Sequence, residues 1–396
     1  MKKVVVFEKG IESVAFFSLR IADYLKELGY EIFVYELERV KDYTQVEQLK
    51  TFCKDGDCFV ITFNFNGIRG EEEFEEDGQL IWKKYQVPMI NIMVDHPFYY
   101  PKLLDYVLEE LGTELYYQIA IDKDHLKFME RFYPKLKGHV EFLPLAGTET
   151  VIPVSKKEYG VTFVGNYTPP ERFREYIERI DDEYTAFYEG IIKDLIEHPG
   201  TTMEEAFEKH LKREMGEISD TDLRTCMGNM IFIDLYVRYH FRGDVVKTLA
   251  EAGIPVHIWG SGFDLMDCKC PENIIMEGAT DSAGCLLALA KSKVALNVMP
   301  WFKDGAHDRI YSAMLNHAVC FTDDSNFLRE DLKEGEEVLF FSLEDYSDLP
   351  ERIQAILLNS IRREEIAEAA YVHAKEKHTW KQRTDMLLTY IDKWFH

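Results

Sequence analysis

The stretch richest in groups that can do chemistry runs from Asn297 to Met314 and contains Trp301-Phe302-Lys303-Asp304-Gly305-Ala306-His307-Asp308-Arg309. An apolar run ends near Val298, the chain turns at Asp304-Gly305, and helical periodicity starts near Asp308. The first N–H groups of a helix have no intrahelical partner, and the dipole stands behind them, so such a junction can receive an anion. His307 and Arg309 would add positive charge and hydrogen bonds to a diphosphate. The same residues allow a plainer arrangement, with Asp308 capping the helix and Arg309 pairing with a nearby carboxylate. Asp95-His96-Pro97 follows another apolar run. A His there can exchange a proton near neutral pH or touch a phosphate, or it can be locked by Asp95 in a turn. Asn64 and Asn66 offer amide hydrogen bonds after a third run, and Asp122, Asp124 and His125 form a polar cluster after a fourth.

These groups all follow short apolar runs, which read as strands. In the first 150 residues the runs fall at 4–7, 31–35, 58–63, 89–94, 117–121 and 140–143, with helical stretches between them. The pattern restarts at 159–165 and continues at 256–259, 274–276, 294–298, 319–322 and 338–341. Apolar strands alternating with helices imply parallel sheets covered on both faces. Ligands of such sheets bind beyond the carboxyl ends of the strands, which is where the polar clusters lie. The chain therefore reads as α/β, with two Rossmann-like doubly wound domains and a charged helical insertion at about 170–250. The expected limits are 1–152 for the first domain and 153–377 for the second, with a helix at 378–396 packing back on the first. The acidic run at 71–77 reads as a solvated loop or helix end.

Composition narrows the function. A formal net charge of −25 excludes a nucleic-acid-binding surface, which needs clustered Lys and Arg, but leaves room for a nucleotide in one local pocket. The apolar run at 4–7 is too short for a signal peptide, and no run approaches the ~18 residues that span a membrane. Seven scattered cysteines suit a reducing compartment, so a cytoplasmic location is expected. Asp55-Gly56-Asp57 has the outline of a metal-binding pair but precedes a strand and reads as a turn. No metal or cofactor is expected.

The order of several motifs carries a resemblance. His307-Asp308-Arg309 with Phe321-Thr322-Asp323, Phe163-Val164-Gly165-Asn166, Ile258-Trp259-Gly260-Ser261-Gly262, Glu277-Gly278 and His378-Thr379-Trp380 together resemble the CgeB-like glycosyltransferases, relatives of the group-1 GT-B family. The resemblance implies a GT-B-like fold and metal-independent, retaining transfer of a sugar from a nucleotide-diphosphate sugar to an acceptor hydroxyl on a glycan, lipid, protein or metabolite. It implies that Asp304 orients the donor sugar, and that Gly305, Ala306, His307 and Arg309 meet the diphosphate. Gly165, Asn166 and Arg172 would form a phosphate-facing loop, with Gly260, Gly262, Glu277 and Gly278 around the nucleotide. His96, Asp95, Asn64 and Asn66 would face the acceptor. The family carries a Glu for the ribose eight residues after its acidic residue, and Ser312 stands there instead. Two other readings use the same fold: a sugar-nucleotide epimerase or hydrolase, and an inert sugar-nucleotide or protein-binding module.

Overall fold

The computed structural model describes residues 2–37 and 43–395, so the outermost expected domain limits, 1 and 396, lie outside the described residues. In chain order the strands are β1 (Lys3–Glu8), β2 (Glu31–Glu36), β3 (Cys58–Phe63), a small hairpin of β4 (Glu75–Glu76) and β5 (Gln79–Leu80), β6 (Met89–Met93), β7 (Tyr116–Ala120), β8 (Val140–Phe142), β9 (Tyr159–Val164), β10 (Val256–Trp259), β11 (Ile274–Met276), β12 (Ser292–Asn297), β13 (Val319–Asp323) and β14 (Leu339–Phe341). They divide between two compact units. One runs to Pro144 and resumes at Trp380; the other is Leu145–Thr379.

The first unit holds a parallel sheet in the order β2-β1-β3-β6-β7-β8. Every residue of β3, β6 and β7 is buried, which explains their unbroken apolar runs: helices cover both faces of a parallel sheet. Each fully buried Val, Ile or Phe of these strands contributes about 1.5–3 kcal/mol. The helix Trp380–Phe395 belongs to this unit. Trp380 packs on Phe17 at 5.0 Å, Trp394 on Tyr117 at 4.8 Å, and Tyr390 donates to the Phe142 carbonyl at 2.8 Å. Within the acidic run the chain forms the β4–β5 hairpin, where Glu76 meets Lys84 at 2.9 Å.

The second unit holds the parallel sheet β11-β10-β9-β12-β13-β14. Its first strand is central, and the order reverses between β9 and β12, so the loops leaving these two strands diverge and leave a crevice at their carboxyl ends. Between β9 and β10 stand the helices Asp182–Glu197, Met203–Met215, Asp220–Gly228 and Ile231–Glu251. Their starts are set by sequence: Asp181 and Ser219 accept from backbone N–H groups, and Thr202 with Glu205 closes a capping box. The 21-residue helix Ile231–Glu251 returns the chain to β10.

Candidate functional site

At the crevice of the second unit the loop between β12 and the helix Asp308–Leu315 is tied on several sides. Met299 N–H donates to Asp323 Oδ1 at 2.7 Å, Ser325 Oγ donates to the Gly305 carbonyl at 2.6 Å, and Lys303 donates to the carbonyls of Pro199 and Pro300. Gly305 and Ala306 are buried, and Asp304 is half-buried at the turn. The helix cap is His307 and not Asp308: its Nδ1 accepts from Arg309 N–H at 3.3 Å, and Asp308 Oδ1 lies 2.7 Å from the same nitrogen. Burial, and then the neighbouring Arg309, push the His307 imidazole down to about 4. This corrects the sequence expectation. At neutral pH His307 offers hydrogen bonds but no positive charge.

The charge comes from arginines. Arg309 donates from Nη1 to the Val164 carbonyl at the end of β9 and lies against the His307 ring, with Nη2 2.8 Å from Nε2. Arg238 and Arg242, one helical turn apart on Ile231–Glu251, both reach the face of Trp301, at 4.1 and 4.9 Å. Arg238 pairs with Asp234 at 2.8 Å. Arg242 is 8% exposed, donates from Nη1 to the Asn166 carbonyl at 3.0 Å, and leaves its Nε without a partner. Burial, then Arg309 and Arg238, lower its pKa well below the arginine range. Three guanidiniums therefore gather at the switch point beside Asp234 and Asp308, with Asp323 also within electrostatic reach of Arg309.

The other expected residues fall as follows. Gly165 brings the loop so close to Arg309 that an added Cβ would lie 2.7 Å from Nη1. Asn166 Oδ1 accepts from Ser261 N–H at 3.0 Å. Arg172 stands exposed on the turn Pro170–Phe173, and the guanidinium over the Gly165-Asn166 loop belongs to Arg242 instead. The close approach at Gly260 and Gly262 is between two segments of this chain: Cβ atoms there would lie 2.0 Å from the Gly165 and Tyr167 carbonyl oxygens. Glu277 pairs with His257 at 2.7 Å, and Gly278, at φ 94°, accepts from Gly260 N–H at 3.1 Å. Ser312 is 4% exposed and turned to the start of this unit, where its hydroxyl accepts from Thr148 N–H at 3.1 Å. A Cβ on Gly147 would lie 2.4 Å from the Tyr311 carbonyl carbon, so this segment runs directly against the backbone of the helix Asp308–Leu315. Its hydroxyl is occupied within the fold rather than presented to a ribose.

In the first unit the expected groups bind one another. Asn64 (φ 45°) and Phe65 (φ 64°) are left-handed, a conformation that costs non-glycine residues about 1 kcal/mol or more. The Asn64 amide donates to Asp95 at 2.9 Å and accepts from Val94 N–H at 2.9 Å, and Tyr100 also donates to Asp95. Asn66 is half-buried. His96 is 7% exposed; its Nδ1 accepts from Phe98 N–H at 3.2 Å and its ring packs against His125 at 4.4 Å and Phe128 at 5.0 Å. His96 is thus held with its Nδ1 accepting and its ring largely buried. Asp122 caps the helix Lys123–Phe132.

Asp331, His373 and His378 of the second unit bring one possible metal-ligand atom each within 4.8 Å. Asp331 lies 3.4 Å from His373 and 2.8 Å from His378, and Tyr311 stacks on His378 at 3.9 Å. The bond to Asp331 raises the His373 pKa. Among the described residues no helix is long and apolar enough to cross a membrane.

Residues 242–389 match the model of a family described as glycosyl transferase-like. The fold resembles that of AviGT4, a glycosyltransferase involved in avilamycin A biosynthesis, with a TM-score of 0.54 and 12% identity over 100% of this chain and 98% of that one. It also resembles Anabaena Alr3699/HepE in complex with UDP-glucose, with a TM-score of 0.52 and 8% identity over 99% of each chain. The chain spans 57% of the length of TarM, at a TM-score of 0.47 and 11% identity. No curated protein matches. The chain has the GT-B fold of two Rossmann-like units, and its residues 242–389 are similar to glycosyl transferase-like sequences.

Proposed function

We propose that the chain transfers a glycosyl group from a nucleotide-diphosphate sugar to an acceptor hydroxyl. The observation that carries this reading is the group Arg238, Arg242 and Arg309 at the switch point of the second unit, with Arg242 buried and its Nε unpartnered. A diphosphate would bring negative charge to these guanidiniums and accept from Arg242 Nε. The match of residues 242–389 to glycosyl transferase-like sequences supports the same reading, as does the likeness to a structure holding UDP-glucose. The finer CgeB-like kinship rests on the order of the motifs from Phe163-Val164-Gly165-Asn166 to His378-Thr379-Trp380, with His307-Asp308-Arg309 and Phe321-Thr322-Asp323 between them.

In this reaction the bond from the anomeric carbon to the diphosphate oxygen breaks, and a bond to the acceptor oxygen forms. The acceptor proton leaves with the diphosphate. Preformed guanidinium donors stabilise the charge that develops on the leaving group, so transfer proceeds without a metal. Neutral His307 adds a hydrogen bond, and Asp304 orients the sugar. Retention at the anomeric carbon follows the family resemblance. For the acceptor we assign the strand-end loops of the first unit, where Asn66 and Asp95 stay part-exposed. Seven scattered cysteines favour a reducing compartment, the cytoplasm.

Incubation with UDP, GDP, dTDP and CDP sugars tests the proposal. Release of nucleoside diphosphate from one of them by the wild type, reduced at least ~100-fold in Arg309→Ala and Asp304→Ala, is the expected result. Folded variants with wild-type rates would overturn the assignment. Conversion into a new sugar nucleotide would make the chain an epimerase.

A further inference from the structure

Among the described residues, one group of His, Cys, Asp and Glu side chains brings three possible ligand atoms within 4.8 Å of one another, and it consists of Asp331, His373 and His378. All three belong to the second unit. Asp331 ends the short helix Asn326–Asp331, His373 stands near the end of Ser360–Lys377, and His378 is the residue that follows that helix. The group is shielded from water, with side-chain exposures of 16%, 10% and 4%.

The spacing suits a single ion. Two donor atoms each about 2.1 Å from a tetrahedral zinc lie about 3.4 Å apart. Asp331 Oδ1 is 3.4 Å from His373 Nε2, and Oδ2 is 2.8 Å from His378 Nε2, so one carboxylate faces both imidazole nitrogens. The shorter separation must open by about 0.6 Å, which is within reach of a rotation of the carboxylate. The rings are also oriented from behind. His373 turns its other nitrogen, Nδ1, to Glu337 Oε1 at 3.3 Å. A His that gives one nitrogen to a metal almost always donates from the other to an oxygen acceptor such as a carboxylate, which fixes the ring and strengthens it as a ligand. His378 stacks on Tyr311 at 3.9 Å with the planes 5° apart, and lies 5.3 Å from the His373 ring with the planes 8° apart.

We propose that Asp331, His373 and His378 bind one divalent cation of the zinc class, with Glu337 orienting His373 from outside the coordination shell. Two imidazoles and a carboxylate are a donor set for Zn2+, whereas Mg2+ is held mostly by oxygen ligands in an octahedron. Three protein ligands leave the fourth position to water. The ion acts on the fold: through the Tyr311 ring it braces the helix Asp308–Leu315, whose start carries His307 and Arg309. Neither the ligands nor the ion depend on which reaction the chain performs.

The test uses the untagged full chain, freed of metal with a chelator that is then removed. It is titrated with Zn2+, Co2+ or Mg2+ alone at about pH 8, where protons compete less for the imidazoles. One zinc per chain should bind, and melting should rise by about 5–10 °C once free zinc stands ~100-fold above its Kd. Mg2+ should cause no rise. His373→Gln should weaken zinc binding at least ~100-fold, and Glu337→Gln, which keeps an acceptor for Lys333 N–H, about tenfold. The half-buried Cys268 and Cys270 are the competing place for zinc, and the double variant Cys268→Ser/Cys270→Ser should bind as the wild type does. Co2+ gives a reading on the wild type alone: the visible bands of a tetrahedral ion without the ultraviolet band of a thiolate ligand. No saturable zinc binding by the wild type, a thiolate band with Co2+, or an affinity that survives in a folded His373→Gln protein would overturn the site.

Discussion

Replacing Arg242 with Met separates what the arginine cluster does for the fold from what it does for a ligand. In the ligand-free protein Arg242 carries a buried charge with one hydrogen bond to Asn166, an unpartnered Nε and two neighbouring guanidiniums. Desolvating such an ion costs several kcal/mol. Its charged hydrogen bond returns about 1.5–3 kcal/mol, and its contact with Trp301 about 0.5–2 kcal/mol. Methionine keeps much of the packing and removes the charge, so Arg242→Met should stabilise the empty protein by roughly 1–2 kcal/mol. At about 2–4 °C per kcal/mol for a unit of this size, melting should rise by about 2–8 °C. The same change removes a charge-assisted contact to the diphosphate, which should weaken binding by about 100-fold or more. Thermal unfolding with and without nucleoside diphosphate reads both effects at once. The variant should melt higher than the wild type when empty, and the ligand-induced rise should vanish. A variant that melts several degrees lower and still responds to the nucleotide would refute the reasoning, because Arg242 would then be a structural cation for the Asn166 loop.

Two further outcomes follow from the same site. His307 is held near 4 in the folded chain against about 6.5 when unfolded, so the unfolded state takes up its proton first as pH falls. Its contribution is present above pH 6.5 and is lost toward pH 4, amounting to at most about 3 kcal/mol. His307→Asn, which can still cap the helix, should flatten that part of the urea-unfolding profile. Ser312→Glu restores the residue that the family resemblance places there but must displace the Gly147-Thr148 segment. It should cost about 2–3 kcal/mol in denaturant titrations without tightening nucleotide binding, as overpacking and a buried carboxylate both oppose it.

Much of the fold was legible in the sequence because parallel strands buried on both faces are continuous apolar runs. The twelve strands of the two sheets lie where those runs fall. The β4–β5 hairpin was not legible, since its acidic residues carry no strand pattern and are held by Lys84 and Tyr85. In the candidate site, the loop from Asp304 to Arg309 could be located from a strand end and a helix start. The arginines behind it could not, because 170–250 reads as a charged insertion and Arg238 and Arg242 look solvated there. One local signal was available: they stand four residues apart in the otherwise largely apolar and aromatic stretch Ile231–Glu251. Ser312 and His96 depended on contacts with distant or differently aimed residues, Thr148 and His125, which no local pattern encodes.

In the proposed reaction, three guanidiniums at the switch point of the second unit hold a diphosphate. Calorimetric titration of wild type and Arg309→Ala with nucleoside diphosphates and the corresponding monophosphates tests it most directly. Binding of one diphosphate at least ~10-fold tighter than its monophosphate, with that preference lost in Arg309→Ala, is the expected result. Equal affinity for mono- and diphosphates, or a preference that survives in a folded Arg309→Ala protein, would contradict it.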